Sequence, residues 1–161
     1  MTPKRKLPPY RRSVAGSLLA AREAVMTPIR PILRAAGITE QQWRVLRVLI
    51  DEGAIDPSQL AASAILLPPS VTRILRELLE RGLIECIVDP SDGRRSIVSI
   101  SAAGRKLFED SAEQTLKLLE IYENSFGAER LHHLVAELDA LATIIQSLGF
   151  ADGTDDERSA A

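Results

Sequence analysis

The chain has 161 residues, 45% of them apolar and 26% charged, enough to bury a core in one domain or in one domain with extensions. A formal net charge of -2 excludes a uniformly basic nucleic-acid binder, so any basic surface has to be local. The single cysteine, Cys86, excludes an internal disulfide and suits a cytoplasmic protein, and no signal-like segment or 18-residue apolar run points to secretion or a membrane.

The first segment, residues 1-12, carries Lys4, Arg5, Lys6, Arg11 and Arg12 among prolines and reads as a basic, disordered arm, or as one that reaches DNA phosphates. From Ser13 to about Ala36 the spacing of Val14, Leu18, Val25, Ile29, Ile32 and Leu33 predicts an amphipathic helix, with a kink or break near Met26 caused by Pro28 and Pro31. Thr39 and Gln42 form a capping-box pattern for a second helix, apolar on most sides, through Ile50. Asp56, Pro57 and Gln59 open a short third helix ending near Ala64. A fourth helix is expected over 68-82.

After Gly82, LIECIV and SIVSIS flank DPSDGRR, and the pattern is that of a β-hairpin with a charged tip. Ser101 caps a helix to about Asn124, and a last helix carries Leu131, Leu134, Val135, Leu138, Leu141, Ile145 and Leu148. The fold class is mainly α with a small β-hairpin, a winged helix-turn-helix over about 39-101 within one domain at 13-150. Residues 151-161 form a disordered acidic tail. The helices at about 13-36 and 102-149 carry apolar stripes too long for a small core to cover; a two-fold homodimer would bury them, the alternative being that they pack only on each other within one chain.

The fourth helix places Val71, Ile74, Leu75 and Leu78 on one side and Pro69, Thr72, Arg73, Arg76 and Glu80 on the other. Its first two turns therefore present proline, hydroxyl and guanidinium outward, where a recognition helix meets base edges. Leu67 stands in the cap position with Pro68 and Pro69 behind it, so only the amides of Leu67 and Ser70 remain to be satisfied. Phosphate is a candidate acceptor for them; equally, proline is common in first turns for reasons unrelated to DNA. Ser70 and Thr72 suit hydrogen bonds to phosphate or base, while Arg73 and Arg76 suit guanine or phosphate. At the hairpin turn, Arg94 and Arg95, oriented by Asp89 and Asp92, suit a narrow minor groove, or are a solvated charged turn.

Arg22 falls among the apolar positions of the first helix, with Met26 and Arg30 following at intervals of four, and a buried arginine needs an anion. The candidates are a ligand carboxylate and an internal acid such as Glu40. Trp43 and Arg47, four apart on the next helix, offer a ring wall and a second cation. Signs of catalysis are weak: His132 and His133 diverge by about 100° around their helix, and no phosphate-binding glycine loop occurs. Cys86 is expected as a small packed residue of a strand, with thiolate sensing as the alternative.

The text ITEQQWRVLRVL at 38-49, SVTRILRELLERGLI at 70-84, DPSDGRR at 89-95 and SISAAG at 99-104 resembles the MarR family of bacterial transcription regulators over roughly residues 13-148. Within it, AREAVMTPIRPIL, TEQQW and ILLPPS are most similar to repressors of aromatic catabolism. The resemblance implies a homodimeric, cofactor-free repressor, not an enzyme, released from a pseudo-palindromic operator by a small aromatic carboxylate of the hydroxyphenylacetate type. On this reading Pro69, Ser70, Thr72, Arg73, Arg76, Asp92, Arg94 and Arg95 are the candidate DNA contacts, and Arg22, Met26, Arg30, Trp43 and Arg47 the candidate effector contacts. Two rival readings remain open: a winged-helix protein-interaction module and a redox-sensing repressor acting through Cys86.

Overall fold

The computed structural model describes residues 6–89 and 92–149, apart from the side chains of Asp89 and Arg94. The acidic tail and the first five residues of the basic arm lie outside the described residues. Where the sequence suggests one domain, contacts group the chain into a unit ending at Leu116 and another beginning at Lys117.

The first unit opens with a 3-10 turn, Tyr10–Arg12, where the sequence suggests disorder. The turn is tied down because Gly16 lets the chain pass close: a Cβ there would stand 2.0 Å from the Tyr10 carbonyl oxygen. Ser13 then caps α1 (Val14–Ala35) by accepting the Gly16 amide at 3.0 Å. The expected break near Met26 does not occur, since α1 runs on through both prolines. Each proline removes one helical amide, and the chain tolerates the loss inside a helix whose C-terminal half is buried at Ile29 and Leu33.

Helix α2 (Glu40–Asp51) begins with the capping box read from Thr39 and Gln42, both bonds of which are made. Its face of Val45, Leu46 and Leu49 is at most 1% exposed and forms the centre of the core. Asp56 caps α3 (Pro57–Ser63) through the amides of Ser58 and Gln59, and α3 adds Leu60 and Ala61 to that core. Helix α4 (Pro68–Glu80) buries Val71, Ile74, Leu75 and Leu78, the side its periodicity defines. Full burial of side chains of this size stabilises by about 1.5–3 kcal/mol each.

Strands β1 (Ile84–Asp89) and β2 (Asp92–Ile100) pair antiparallel, from Ile84 with Ile100 to Asp89 with Asp92. Pairing therefore runs into the expected turn segment as far as Asp89 and Asp92, and Arg94 and Arg95 belong to β2. A bridge absent from the sequence reading adds Ile55, whose amide and carbonyl exchange hydrogen bonds with Val98 at 3.1 and 2.9 Å. Cys86 is exposed, against expectation, because a two-stranded hairpin has no second layer over this stretch; Glu85, Ile87 and Val88 are exposed as well.

Helix α5 (Ala102–Phe126) starts at the Ser101 hydroxyl, which accepts the Gly104 amide at 3.0 Å and donates to the Gly82 carbonyl at 2.7 Å. Gly104 is required by close approach, since a Cβ would lie 1.9 Å from the Leu83 carbonyl oxygen. Leu107 and Phe108 pack partly on the core. The second unit holds the end of α5 and α6 (Ala128–Ser147). Among the described residues α6 buries none, and Leu134, Val135, Leu138, Ile144 and Ile145 are exposed along it.

One residue stands out in the turn between α3 and α4. Ile65 has φ +52°, and its amide and that of Leu66 bond back to Ala62 and Ala61 at 3.1 and 3.0 Å, a helix-terminating motif that normally takes glycine. A left-handed conformation costs an L-residue about 1–2 kcal/mol. Ile65 is also 83% exposed, so little burial offsets this. Ile65→Gly is therefore expected to raise the free energy of urea unfolding by about 1 kcal/mol; a decrease would show that the exposed side chain stabilises the turn.

Candidate nucleic-acid interface and effector site

On α4 the N-terminal cap is Leu67, with no side-chain hydrogen bond, followed by Pro68 and Pro69. The Ser70 amide, expected to be open to phosphate, instead donates to the Leu67 carbonyl at 2.9 Å. Thr72 turns its hydroxyl onto the Pro68 carbonyl at 3.2 Å. Pro69, Thr72, Arg73 and Arg76 are exposed and Ser70 is half-buried, so the outward stripe is in place at the protein surface. Arg73 donates from Nη1 to Glu77 Oε1 at 2.8 Å while remaining 55% exposed. On the hairpin, Asp92 and Arg95 are exposed; the Arg94 side chain, and its expected orientation by Asp89, lie outside the described residues.

The arginines of α1 meet acids of the protein itself. Arg22 pairs with Glu23 at 2.9 Å and with Glu40, and it is exposed where burial among apolar residues was expected. The face around Leu18 and Arg22 is uncovered in the single chain, which is why a position on the apolar stripe stays open. Arg30 reaches Glu23 at 2.9 Å and Glu40 at 3.4 Å, and Arg44 reaches Glu40 at 3.3 Å. Three guanidiniums thus share two carboxylates. The hydrogen bond from Arg30, helped by the charges of Arg30 and Arg22, holds Glu23 below the usual carboxylate range, and the same bond pushes Arg30 up. Burial, followed by the charge of Arg22, lowers Arg44.

Trp43 is 8% exposed, its ring stacked at 20° on Phe108 with centroids 6.3 Å apart. The Arg47 guanidinium lies 5.5 Å from the Trp43 ring centroid and its Nε 3.8 Å from Asp51. The indole Nε1–H is buried and has no hydrogen-bond partner. Buried donors are nearly always paired, and leaving one unpaired costs about 1–3 kcal/mol. Met26 is half-buried on α1. The structure thus joins Trp43 with Arg47, and Arg22 with Arg30, as two separate groups. Sequence reasoning missed Phe108 and Arg44, and the bond from Gln42 to Glu77. For Arg44 a signal existed in its i,i+4 spacing from Glu40; for Phe108 none did, because its partner is 65 residues away in the chain.

A helix-turn-helix followed by a β-hairpin, with an arginine stripe on the outer face of its second helix, defines a winged-helix regulator of transcription. The model of the MarR family matches residues 38–96. The HTH-type transcriptional regulator FarR of Neisseria gonorrhoeae is 38% identical over 84% of this chain and 94% of its own length. The homoprotocatechuate degradative operon repressor of Escherichia coli is 35% identical over 80% and 89%, respectively. A solved structure of NadR in complex with 4-hydroxyphenylacetate is 37% identical with a TM-score of 0.78, covering 87% of this chain and 99% of that one. The chain belongs to the MarR family and is a transcription regulator, not an enzyme. No helix among the described residues is long and apolar enough to cross a membrane.

Arg44 links the ion-pair cluster to the turn before α4, donating from Nη1 to the Ala64 carbonyl at 3.1 Å and the Ile65 carbonyl at 3.2 Å. Arg44→Ala is expected to lower stability in chemical denaturation by about 1–2 kcal/mol, the scale of lost hydrogen bonds from a charged donor. A loss below about 0.3 kcal/mol, the level of an ordinary surface substitution, would show that water replaces the guanidinium without penalty.

Proposed function

We propose that this protein is a homodimeric repressor that reads a pseudo-palindromic operator with α4 and the β1–β2 hairpin and is released by a small aromatic carboxylate. The observation that carries the reading is the exposed stripe of Pro69, Thr72, Arg73 and Arg76 on the first turns of α4, directly behind an uncapped double-proline start. Arg73 and Arg76 suit guanine edges or phosphate; Ser70 and Thr72 suit hydrogen-bonding contacts. Asp92, Arg94 and Arg95 of β2 serve the flanking minor groove.

A second copy covers the apolar surface that one chain leaves open. Val14, Leu18, Leu19 and Val25 are exposed on α1, as are the apolar residues of α6. Within the second unit an open groove of about 610 Å³, lined by Leu119, Leu131, His132 and Val135 among others, belongs to the same kind of surface. In a two-fold dimer the recognition helices would enter successive major grooves about 34 Å apart.

For the effector, the unpartnered Trp43 Nε1–H and the Arg47 guanidinium, 5.5 Å from the same ring's centroid, are suited to a carboxylate, with the indole and Phe108 as apolar surroundings. The likeness to NadR solved with 4-hydroxyphenylacetate, and to a repressor of homoprotocatechuate degradation, supports an aromatic acid as ligand and an aromatic-catabolism operon as target. Arg22 and Arg30 contribute by shaping the α1 side through Glu40, and Met26 by apolar contact. Binding acts by favouring a spacing of the reading heads that does not fit DNA.

Gel shift on the duplex upstream of the chain's own gene tests the first part. Arg73→Ala and Arg95→Ala are each expected to weaken binding about tenfold, with wild-type affinity falling steeply as salt rises. A wild type that shifts no DNA would favour a protein-interaction module instead. For the effector, 4-hydroxyphenylacetate is titrated against the bound complex: Trp43→Phe and Arg47→Ala should each raise the concentration needed for release about tenfold, the scale of one charge-assisted hydrogen bond. Equal responses from both variants and the wild type would remove this anchor.

A further inference from the structure

The outward arginine of α4 is held by a line of hydrogen bonds that begins two elements away. The Gln42 side chain, on a residue only 6% exposed, is fixed at both ends. Its Oε1 accepts the Thr39 amide at 3.0 Å and its Nε2 donates to Glu77 Oε2 at 2.9 Å. The first bond determines the amide's orientation, since an Nε2 in that place would face another donor. The NH2 group must then point at α4. Glu77, half-buried, has its second oxygen on Arg73 Nη1 at 2.8 Å. One carboxylate is therefore located by the capping box of α2, and it locates the guanidinium in turn.

We propose that Gln42 and Glu77 are positioning residues for DNA recognition, holding Arg73 in the orientation that reads a base edge and restraining it from indiscriminate phosphate contact. The inference rests on the DNA-reading proposed above. An unrestrained arginine samples many rotamers and would have to give up that freedom on binding. With Nη1 on Glu77, the guanidinium still has donors free for a bidentate contact to guanine. The same carboxylate repels phosphate, so it disfavours a slide of Arg73 to the backbone and widens the gap between the right sequence and any other.

The test is fluorescence anisotropy on the duplex upstream of the chain's own gene and on a random-sequence duplex of equal length. The ratio of the two affinities is the readout. Glu77→Met, which removes both acceptor oxygens, is expected to lower that ratio about two- to fivefold, the scale of one exposed ion pair. Gln42→Met changes no charge and should lower it in the same direction; thermal melts verify that both variants fold, and if Gln42→Met does not, Glu77→Met alone decides. In an Arg73→Ala background, Glu77→Met should leave the ratio where Arg73→Ala has put it, as a double-mutant cycle requires of residues acting through one another. An unchanged ratio in Glu77→Met, or an equal fall without Arg73, overturns the positioning role. A wild type with no preference for the upstream duplex overturns the DNA-reading itself, which separates the two failures.

Discussion

Burial of one face of α2 governs the placement of everything else in the first unit. Val45, Leu46 and Leu49 are the residues around which α3, α4 and the base of the hairpin gather. The remaining faces of the same helix carry the polar business. Glu40 gathers arginines from α1, Gln42 reaches α4, Trp43 stacks on α5, and Arg44 holds the turn before α4. Twelve residues thus supply both the apolar centre and four outward connections. A helix so placed has little freedom to rotate, because each face has its own partner and a change in one is felt by the others.

Local electrostatics decide what the net charge of -2 conceals. The stripe on α4 is kept free of acid through its first two turns, and Glu77 enters where it meets both Gln42 and Arg73. On α1, by contrast, Arg22 and Arg30 have acids beside them and are largely spoken for by Glu23 and Glu40. Equal residue types therefore have unequal availability, and only the three-dimensional arrangement separates an arginine facing outward from one closing a cluster.

Legibility in the sequence followed the range of the forces involved. Short-range rules placed the helices: the Thr39–Gln42 capping box, the Asp56 cap and the bare Leu67 start are all set by residues within four of one another. Periodicity also separated the buried from the exposed side of α4. Failures came where a distant partner intervened. The Ile55 bridge depends on Val98 and the Trp43 stack on Phe108; for Arg22 the internal acid Glu40 was among the candidates, and it was the exposure of Arg22 that went unread. Arg94 and Arg95 were assigned to the turn for a different reason: the turn signal in DPSDGRR marks where a reversal is permitted, not how far pairing continues toward it.

Trp43 is the one tryptophan in the chain, and its ring is enclosed while its N–H is left without a partner. Indole emission in the ultraviolet responds to hydrogen bonding and to nearby charge, so the molecule carries a native optical reporter at the spot proposed above as the ligand's anchor. No dye or label has to be attached to watch that spot. Because no second indole contributes background, every change in the signal originates there.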